Sequence, residues 1–241
     1  MYMFYRDKNV LVTGGSGFIG SHLVDALLQA GAHVRVSVHR RLVAVGRGIV
    51  EEVAADLTRY EDCLRVMHDM DLVFHAAGAV GAAGVVPSNQ LIMINDNLLL
   101  AGNILRACWE SGVKRLLLYG SSTGYPDLHH PVCEDEMWDG PPHNAYFGYG
   151  WMRRYMEKLA EFVASRSELK IALIRPTAVY GERDDSHHVI PSLIRRALAK
   201  EDPFVIWGDG SEVRDFLHVS DLARASLLML ERYSTCDPVN I

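Results

Sequence analysis

The sequence predicts a doubly wound α/β domain, a parallel sheet with helices on both faces, and three observations predict it. Short runs of Val, Leu and Ile recur along the chain, stretches with apolar residues at helical spacing separate them, and a glycine-rich turn closes the first run. A strand buried on both faces needs no polar alternation, which is why the runs are near-continuous. In chain order, Asn9–Thr13 is a strand centred on Val10, Leu11 and Val12, and 18–30 is the helix after the glycines. His33–Val38 and 50–57 are the next strands, Tyr60–Met67 is a short helix, and 71–77 is a further buried strand. A long helix over 90–111, a strand at Arg115–Tyr119, a helix over 146–164 and a strand at 171–174 continue the alternation.

Residues 176–186 break this rhythm. A helix at 190–199, a short strand at 204–207, a turn at Gly208-Asp209-Gly210 and a helix at 220–232 then read as a smaller lobe. The division expected is 1–175 as the main domain and 176–241 as a lobe interleaved with it. Asp237-Pro238-Val239-Asn240-Ile241 begins another apolar strand with no polar tail to blunt an edge, so further C-terminal sequence is expected to belong to the lobe.

At 241 residues and about 150 per domain, the chain has room for one large domain with an appendage and none for a repeat array. Apolar residues make up 49% and charged residues 22%, so burial offsets chain entropy and extended disorder is excluded. Lys and Arg total 24 against 30 acidic residues; a net charge of -6 opposes a surface built to neutralise phosphate backbones, and nucleic acid is not an expected partner. Cys63, Cys108, Cys133 and Cys236 form no C-x-x-C pair and no zinc spacing with the histidines. A cytoplasmic protein with reduced thiols and no metal is the expectation. Arg6, Asp7 and Lys8 interrupt any leader-like apolar run, and no stretch reads as a membrane span of about 20 apolar residues.

Gly15-Ser16-Gly17-Phe18-Ile19-Gly20 satisfies G-x-G-x-x-G, and Gly14, Gly17 and Gly20 satisfy G-x-x-G-x-x-G, directly between strand and helix. Glycines there permit positive φ and close approach of backbone amides to a pyrophosphate at the positive helix end. The expected ligand is a dinucleotide. At the end of the second strand, where an acid would accept bonds from the ribose hydroxyls of NAD, the chain reads Val38-His39-Arg40-Arg41. Two guanidiniums and no acid predict NADP(H), with Arg40 ahead of Arg41 for the 2'-phosphate and NAD(H) as the second choice.

A phenol titrates near 10 and works as an acid/base at neutral pH only if its surroundings lower that by about three units, about 4 kcal/mol. A cation one helical turn away supplies such a charge. Tyr149 and Arg153 are four apart on the helix predicted over 146–164, whereas the rival tyrosines Tyr146 and Tyr155 are followed at that spacing by Gly150 and Leu159. Ser122 or Thr123, at the end of a central strand, offers a hydroxyl to the same substrate oxygen.

With Gly14 to Gly20, His75-Ala76-Ala77-Gly78, Tyr119-Gly120-Ser121-Ser122-Thr123 and Tyr149-Gly150-Trp151-Met152-Arg153, the chain resembles the extended short-chain dehydrogenase/reductases, the NAD-dependent epimerase/dehydratase family, over nearly its whole length. Within them it is most similar to the GDP-fucose synthase group, through Gly120-Ser121-Ser122-Thr123-Gly124-Tyr125-Pro126, His188-Val189-Ile190-Pro191 and Val205-Ile206-Trp207-Gly208. The resemblance implies a Rossmann domain, cofactor contacts from Asp56, Leu57, Ala76, Ala77, Gly78, Asn97 and Pro176, and a nucleoside-diphosphate sugar as substrate. It also implies a diphosphate contact from Arg214, which with Arg175-Pro176 and Tyr180-Gly181 would wall a nucleotide-sugar pocket, and Trp207 as a stacking partner for the base. Homodimers through the helices around Asn97 and Tyr155 are a further implication. Two positions depart from the family pattern. Arg153 stands where the family has lysine, which keeps the charge and removes any relay through an amine. Thr123 stands where the group has an epimerising cysteine, while His188 matches its histidine; threonine is too weak an acid to protonate carbon, so double epimerisation is not expected.

The activity expected is NADP(H)-dependent reduction or epimerisation by hydride transfer at C4 of a keto-deoxy sugar, GDP-linked by resemblance. Tyr149 is the acid/base, Thr123 or Ser122 the hydroxyl donor, Arg153 the cofactor-binding cation and His188 a sugar contact. A 4-epimerase or dehydratase that retains its cofactor is the enzymatic alternative. A non-catalytic dinucleotide sensor is the alternative of another class.

Overall fold

The structure, a computed structural model, describes residues 3–79, 90–186, 188–206, 208–211 and 213–241. In chain order its strands are β1 (Asn9–Thr13), β2 (His33–Val38), β3 (Glu51–Ala54), β4 (Leu72–His75), β5 (Arg115–Tyr119), β6 (Lys170–Arg175), β7 (Ala178–Tyr180), β8 (Phe216–His218) and β9 (Pro238–Asn240). The helices are α1 (Phe18–Gln29), α2 (Tyr60–Met67), α3 (Gln90–Glu110), α4 (Phe147–Arg166), α5 (Val189–Leu198) and α6 (Val219–Arg232). Seven strands form one parallel sheet in the order β3-β2-β1-β4-β5-β6-β9, and β7 pairs in parallel with β8 in a separate sheet.

The near-continuous apolar runs follow from burial of both faces. Val10 and Val12 of β1, Phe74 of β4, Leu117 of β5 and Ile174 of β6 point into a core closed by Leu23, Val24 and Leu27 of α1 and Leu222, Leu227 and Leu230 of α6. Their neighbours Leu11, Val73, Leu116, Leu118, Ile171 and Leu173 point the other way, onto Cys63, Val66 and Met67 of α2, Ile104 and Leu105 of α3 and Ala160 of α4. A period of two along each strand thus feeds two cores. Strand order reverses between β1 and β4. The crevice at the carboxyl ends of these strands is where such sheets bind ligands.

Residues beyond 175 contribute to both sheets: α6 packs on α1 and against β5 and β6, and β9 extends the main sheet beside β6. The strand expected at 204–207 does not form at the described residues 204–206; the Arg196 side chain lies on the Phe204 ring and donates to the Val205 carbonyl instead. The strands Ala178–Tyr180 and Phe216–His218 were not expected, because three residues carry no periodicity. α3 corrects the reading of membrane spans: it is long and apolar enough to cross a bilayer by length and composition. Its buried face of Asn97, Ala101, Ile104, Leu105, Ala107 and Cys108 packs instead within the fold. All four cysteines are free thiols, and only Cys133 is exposed.

One buried ion pair joins the helices to the far half of the sheet. Arg175, 1% exposed at the end of β6, donates to Glu157 of α4 (Nε to Oε1 3.0 Å, Nη2 to Oε2 2.7 Å). Its Nη1 donates to the Tyr125 hydroxyl (2.8 Å) and the Glu134 carbonyl (2.7 Å). Tyr125 donates onward to Asn240 Oδ1 (2.7 Å), and the Asn240 amide donates to Glu134 Oε1 (2.9 Å). The carboxylate also lies so close to Gly120 that a Cβ there would meet Oε1, which fixes glycine at the end of β5. Glu157→Ala leaves a guanidinium buried without its counter-ion and is expected to lower stability by about 3–5 kcal/mol in urea unfolding. Glu157→Leu combined with Arg175→Met is expected to regain most of that loss. A loss under about 1 kcal/mol for Glu157→Ala would contradict this view of the pair.

Candidate active site

The turn after β1 and the segment after β4 meet backbone to backbone at the switch point. Gly14 has φ +69°, and a Cβ on it would come 2.7 Å from the Ala77 nitrogen and 2.9 Å from the Ala76 carbonyl carbon. Gly20 packs where a Cβ would strike the Gly14 carbonyl, so the first turn of α1 sits directly on the loop. Gly17 is the N-cap of α1 and donates to the Gly14 carbonyl (2.9 Å). Among the described residues no side chain caps that end, and a Cβ on Gly17 would have only the Gly14 carbonyl within 4 Å, at 3.2 Å. Ile19 turns inward to the core, and Phe18 stands edge-on to His22 with ring centroids 6.0 Å apart. The helix therefore opens with amides that no described side chain caps, which fits the pyrophosphate of a dinucleotide.

The flanks of this crevice are fixed by side chains. Thr13 Oγ1 accepts from the Ala77 amide (3.2 Å) and shares a hydrogen bond with His75 Nδ1 (2.8 Å). Gly78 is exposed, and the buried Asn97 of α3 clamps the next residue, accepting from the Ala79 amide (3.1 Å) and donating to the Ala79 carbonyl (2.8 Å). Asn97 thus shapes the loop through its own amide. The Thr58 hydroxyl (2.7 Å) and amide (3.1 Å) hold the Asp56 carboxyl below the usual carboxylate range, and the Leu57 side chain is buried in the core. Arg40 is exposed at the end of β2, whereas Arg41 pairs with Asp185 (3.0 Å).

The start of α4 lies against the end of β5. A Cβ on Gly150 would be 2.6 Å from the Thr123 carbonyl, so no larger residue fits between Tyr149 and the loop. One turn along the helix, Arg153 donates from Nη2 to the Tyr149 hydroxyl and from Nη1 to the Tyr119 carbonyl (3.2 Å), with its guanidinium 4.9 Å from the Tyr149 ring centroid. Its Nε is buried with no hydrogen-bond partner among the described residues, a donor that calls for an acceptor such as a ribose hydroxyl. Thr123 Oγ1 bonds Ser121 Oγ (2.8 Å), which also accepts from the Thr123 amide (3.2 Å), whereas Ser122 is exposed. Ser121 was missed in the sequence. Its signal was the N-cap position of the short 3-10 turn Ser122–Gly124. Tyr119 is excluded as a rival acid/base: its hydroxyl bonds Ser226 (2.7 Å), and burial pushes the phenol upward.

The remaining expected contacts scatter. Arg175 is no pocket wall, since Glu157 engages it inside the core. Pro176 is half-buried just beyond it. Tyr180 packs edge-on against Phe216 (6.3 Å) and His218 (5.3 Å), and borders a cavity of about 340 Å³ with Glu182, Ile190, Pro191, Ile194 and His218. His188 is exposed at the N-cap of α5, Arg214 is exposed on the segment leading into β8, and Trp207 lies outside the described residues. Among the described residues, no group of three or more His, Cys, Asp or Glu is arranged to hold a metal ion.

This strand order, with uncapped helix amides at its switch point and a tyrosine-arginine pair at the end of β5, defines a dinucleotide-binding enzyme of the Rossmann class. The chain belongs to the NAD dependent epimerase/dehydratase family, whose sequence profile matches residues 10–241. It is 35% identical over 244 residues to the GDP-L-fucose synthase of Escherichia coli, covering 93% of this chain and 70% of that protein. It is 33% identical over 244 residues to the dTDP-4-dehydro-6-deoxy-D-allose reductase of a Streptomyces species, covering 94% and 74%. An epimerase structure from Methanothermobacter thermautotrophicus superposes with a TM-score of 0.87 at 27% identity, over all of this chain and 73% of that one.

His75 supplies a pH test of this geometry. Burial, and secondarily the Arg153 charge, press its imidazole down to about 4 from an ordinary 6.5. Between those values the unfolded chain binds a proton that the folded chain refuses. This contribution to stability is full above pH 6.5 and falls as pH drops toward 4, by about 3 kcal/mol at most. Urea unfolding from pH 7 to 4.5 is expected to show this decline, and His75→Gln to flatten it. A decline of the same size in His75→Gln would place its origin elsewhere.

Proposed function

We propose that this chain is an NADP(H)-dependent nucleotide-sugar reductase or epimerase acting at C4 of a keto-deoxy sugar, with GDP as the favoured nucleotide. The observation that carries the reading is the hydrogen bond from Arg153 to the Tyr149 hydroxyl at the carboxyl end of β5, beside the switch-point crevice. A fixed cation on a phenol oxygen is what an acid/base tyrosine requires, and arginine serves because the charge, not a transferable proton, is needed. Bound in the crevice, the nicotinamide supplies a hydride acceptor or donor. Tyr149 then moves the proton at the sugar C4 oxygen, and the linked Ser121 and Thr123 hydroxyls hold that oxygen. With the cofactor bound, the Nε of Arg153, unpartnered among the described residues, would donate to a ribose hydroxyl. Residues 1–175 carry the cofactor and these groups, and 176–241 hold the sugar nucleotide through Tyr180, His188, Trp207 and Arg214.

GDP rests on the similarity to the Escherichia coli enzyme, and the Streptomyces relative, named for a dTDP-sugar, marks the rival nucleotide. Thr123 supports reduction or single-centre chemistry over double epimerisation, since threonine, standing where the resembled group has its cysteine, is too weak an acid to protonate carbon. NADP(H) preference is supported by exposed Arg40 at the end of β2, with no acid in the strand itself. We further propose a homodimer through α3 and α4, whose outer faces expose Leu91, Leu99, Trp109, Trp151, Tyr155 and Phe162.

Turnover against GDP-, UDP-, dTDP- and CDP-linked 4-keto sugars with NADPH tests the reading. Tyr149→Phe is expected to lower kcat by about 100-fold or more while the NADPH Kd stays within about threefold. Unchanged turnover on every accepted sugar nucleotide would remove the catalytic proposal. In fluorescence titrations, Arg40→Ala is expected to weaken NADPH about tenfold, with NADH within about twofold. Equal affinity of the unaltered chain for both coenzymes would refute the preference.

A further inference from the structure

β2 and the residues just after it contain no carboxylate, yet a distant one pairs with the second guanidinium that follows the strand. Arg41 Nη1 lies 3.0 Å from Asp185 Oδ2, and Asp185 belongs to the loop 181–186 between β7 and α5. The loop is placed there by contacts that do not involve the pair. Arg183 Nη1 bonds Asp25 Oδ2 (2.9 Å), and His22 Nε2 bonds the Glu182 carbonyl (2.9 Å), both anchors lying on α1. The Ser186 amide donates to Asp184 Oδ1 (3.0 Å) and turns the loop so that the next carboxylate reaches the end of β2. The loop is thus tied to α1 at His22 and Asp25 and reaches the chain just after β2, the ribose side of such a crevice, through Arg41.

We propose that Asp185 is a cofactor-specificity determinant: it engages Arg41 and sets a negative charge where the 2'-phosphate of NADP(H) would enter, which NAD(H) does not need to displace. The proposal rests on the reading of this crevice as a dinucleotide site with Arg40 at the 2'-phosphate. It explains what the second guanidinium does, and it makes cofactor preference a balance between Arg40 and Asp185. Both side chains of the pair are largely exposed, 71% and 73%, so water screens the interaction. Its effect is accordingly severalfold and shrinks with salt.

The test is titration of the whole chain with NADPH and NADH, followed by nicotinamide fluorescence, at low ionic strength and at high salt. The proteins compared are the unaltered chain, Asp185→Asn, Arg41→Ala and the double variant. Asp185→Asn is expected to tighten NADPH about three- to tenfold and NADH less than twofold, with the gain reduced in high salt. Arg41→Ala in that background is expected to remove the share of the gain that comes from the freed guanidinium and to leave the share that comes from the lost carboxylate charge. An NADPH to NADH affinity ratio unchanged by Asp185→Asn, or both coenzymes tightening equally, overturns the role of Asp185 while the dinucleotide site stands. Binding of neither coenzyme to the unaltered chain overturns both readings.

Discussion

The buried pair of Glu157 and Arg175 is the interaction on which the site depends. Glu157 lies one helical turn beyond Arg153 and two beyond Tyr149 on α4, so whatever fixes this carboxylate fixes the rotation of the helix that carries the phenol. Arg175 in turn reaches Tyr125 and Glu134, which brackets the loop 120–125 holding Ser121 and Thr123. The two halves of the candidate chemistry, one from a helix and one from a strand end, are therefore registered against a single guanidinium. A buried charge pair adds little net stability compared with an apolar replacement, but it tolerates few geometries, and that selectivity suits a site that needs fixed distances. Gly120 belongs to the same constraint, since the carboxylate occupies the space a side chain would take.

The cofactor half of the crevice is organised by backbone. Gly14, Ala76 and Ala77 touch main chain to main chain, and Gly20 seats α1 on the Gly14 carbonyl. Side chains act behind this surface: Thr13 and His75 link β1 to β4, and Asn97 holds the Ala79 peptide from α3. His75 is buried and held neutral beside Arg153, so the positive charge at the tyrosine end of the crevice is that of Arg153. The result is a concave face of amides at one end and a tyrosine-arginine pair at the other, separated by the width of the switch point.

The sequence made the main sheet legible because strands covered on both faces advertise themselves. The apolar runs at 9–13, 33–38 and 115–119 and the glycine turn match the observed strands and helix start. The pair Tyr149 and Arg153 was legible for the same reason, because helical spacing converts directly into contact. What escaped was anything set by distant segments. The short strands 178–180 and 216–218 exist only through pairing with each other across nearly forty residues of chain. Arg175 reads as a pocket wall beside Pro176, and only the packing of α4 reveals its partner. Ser121 was overlooked beside Ser122 and Thr123 because three adjacent hydroxyls look alike until the backbone turn points one outward and joins the other two. Asp185 could not have been placed at the end of β2 from local pattern, since 144 residues separate it from Arg41.

The most direct measurement is a crystal structure of the chain grown with NADPH. The pyrophosphate is expected over the amides that begin α1 at Gly17, and the nicotinamide ribose against Tyr149 and the Nε of Arg153. A nucleotide bound elsewhere, or a crevice filled by the protein's own side chains, would contradict that expectation.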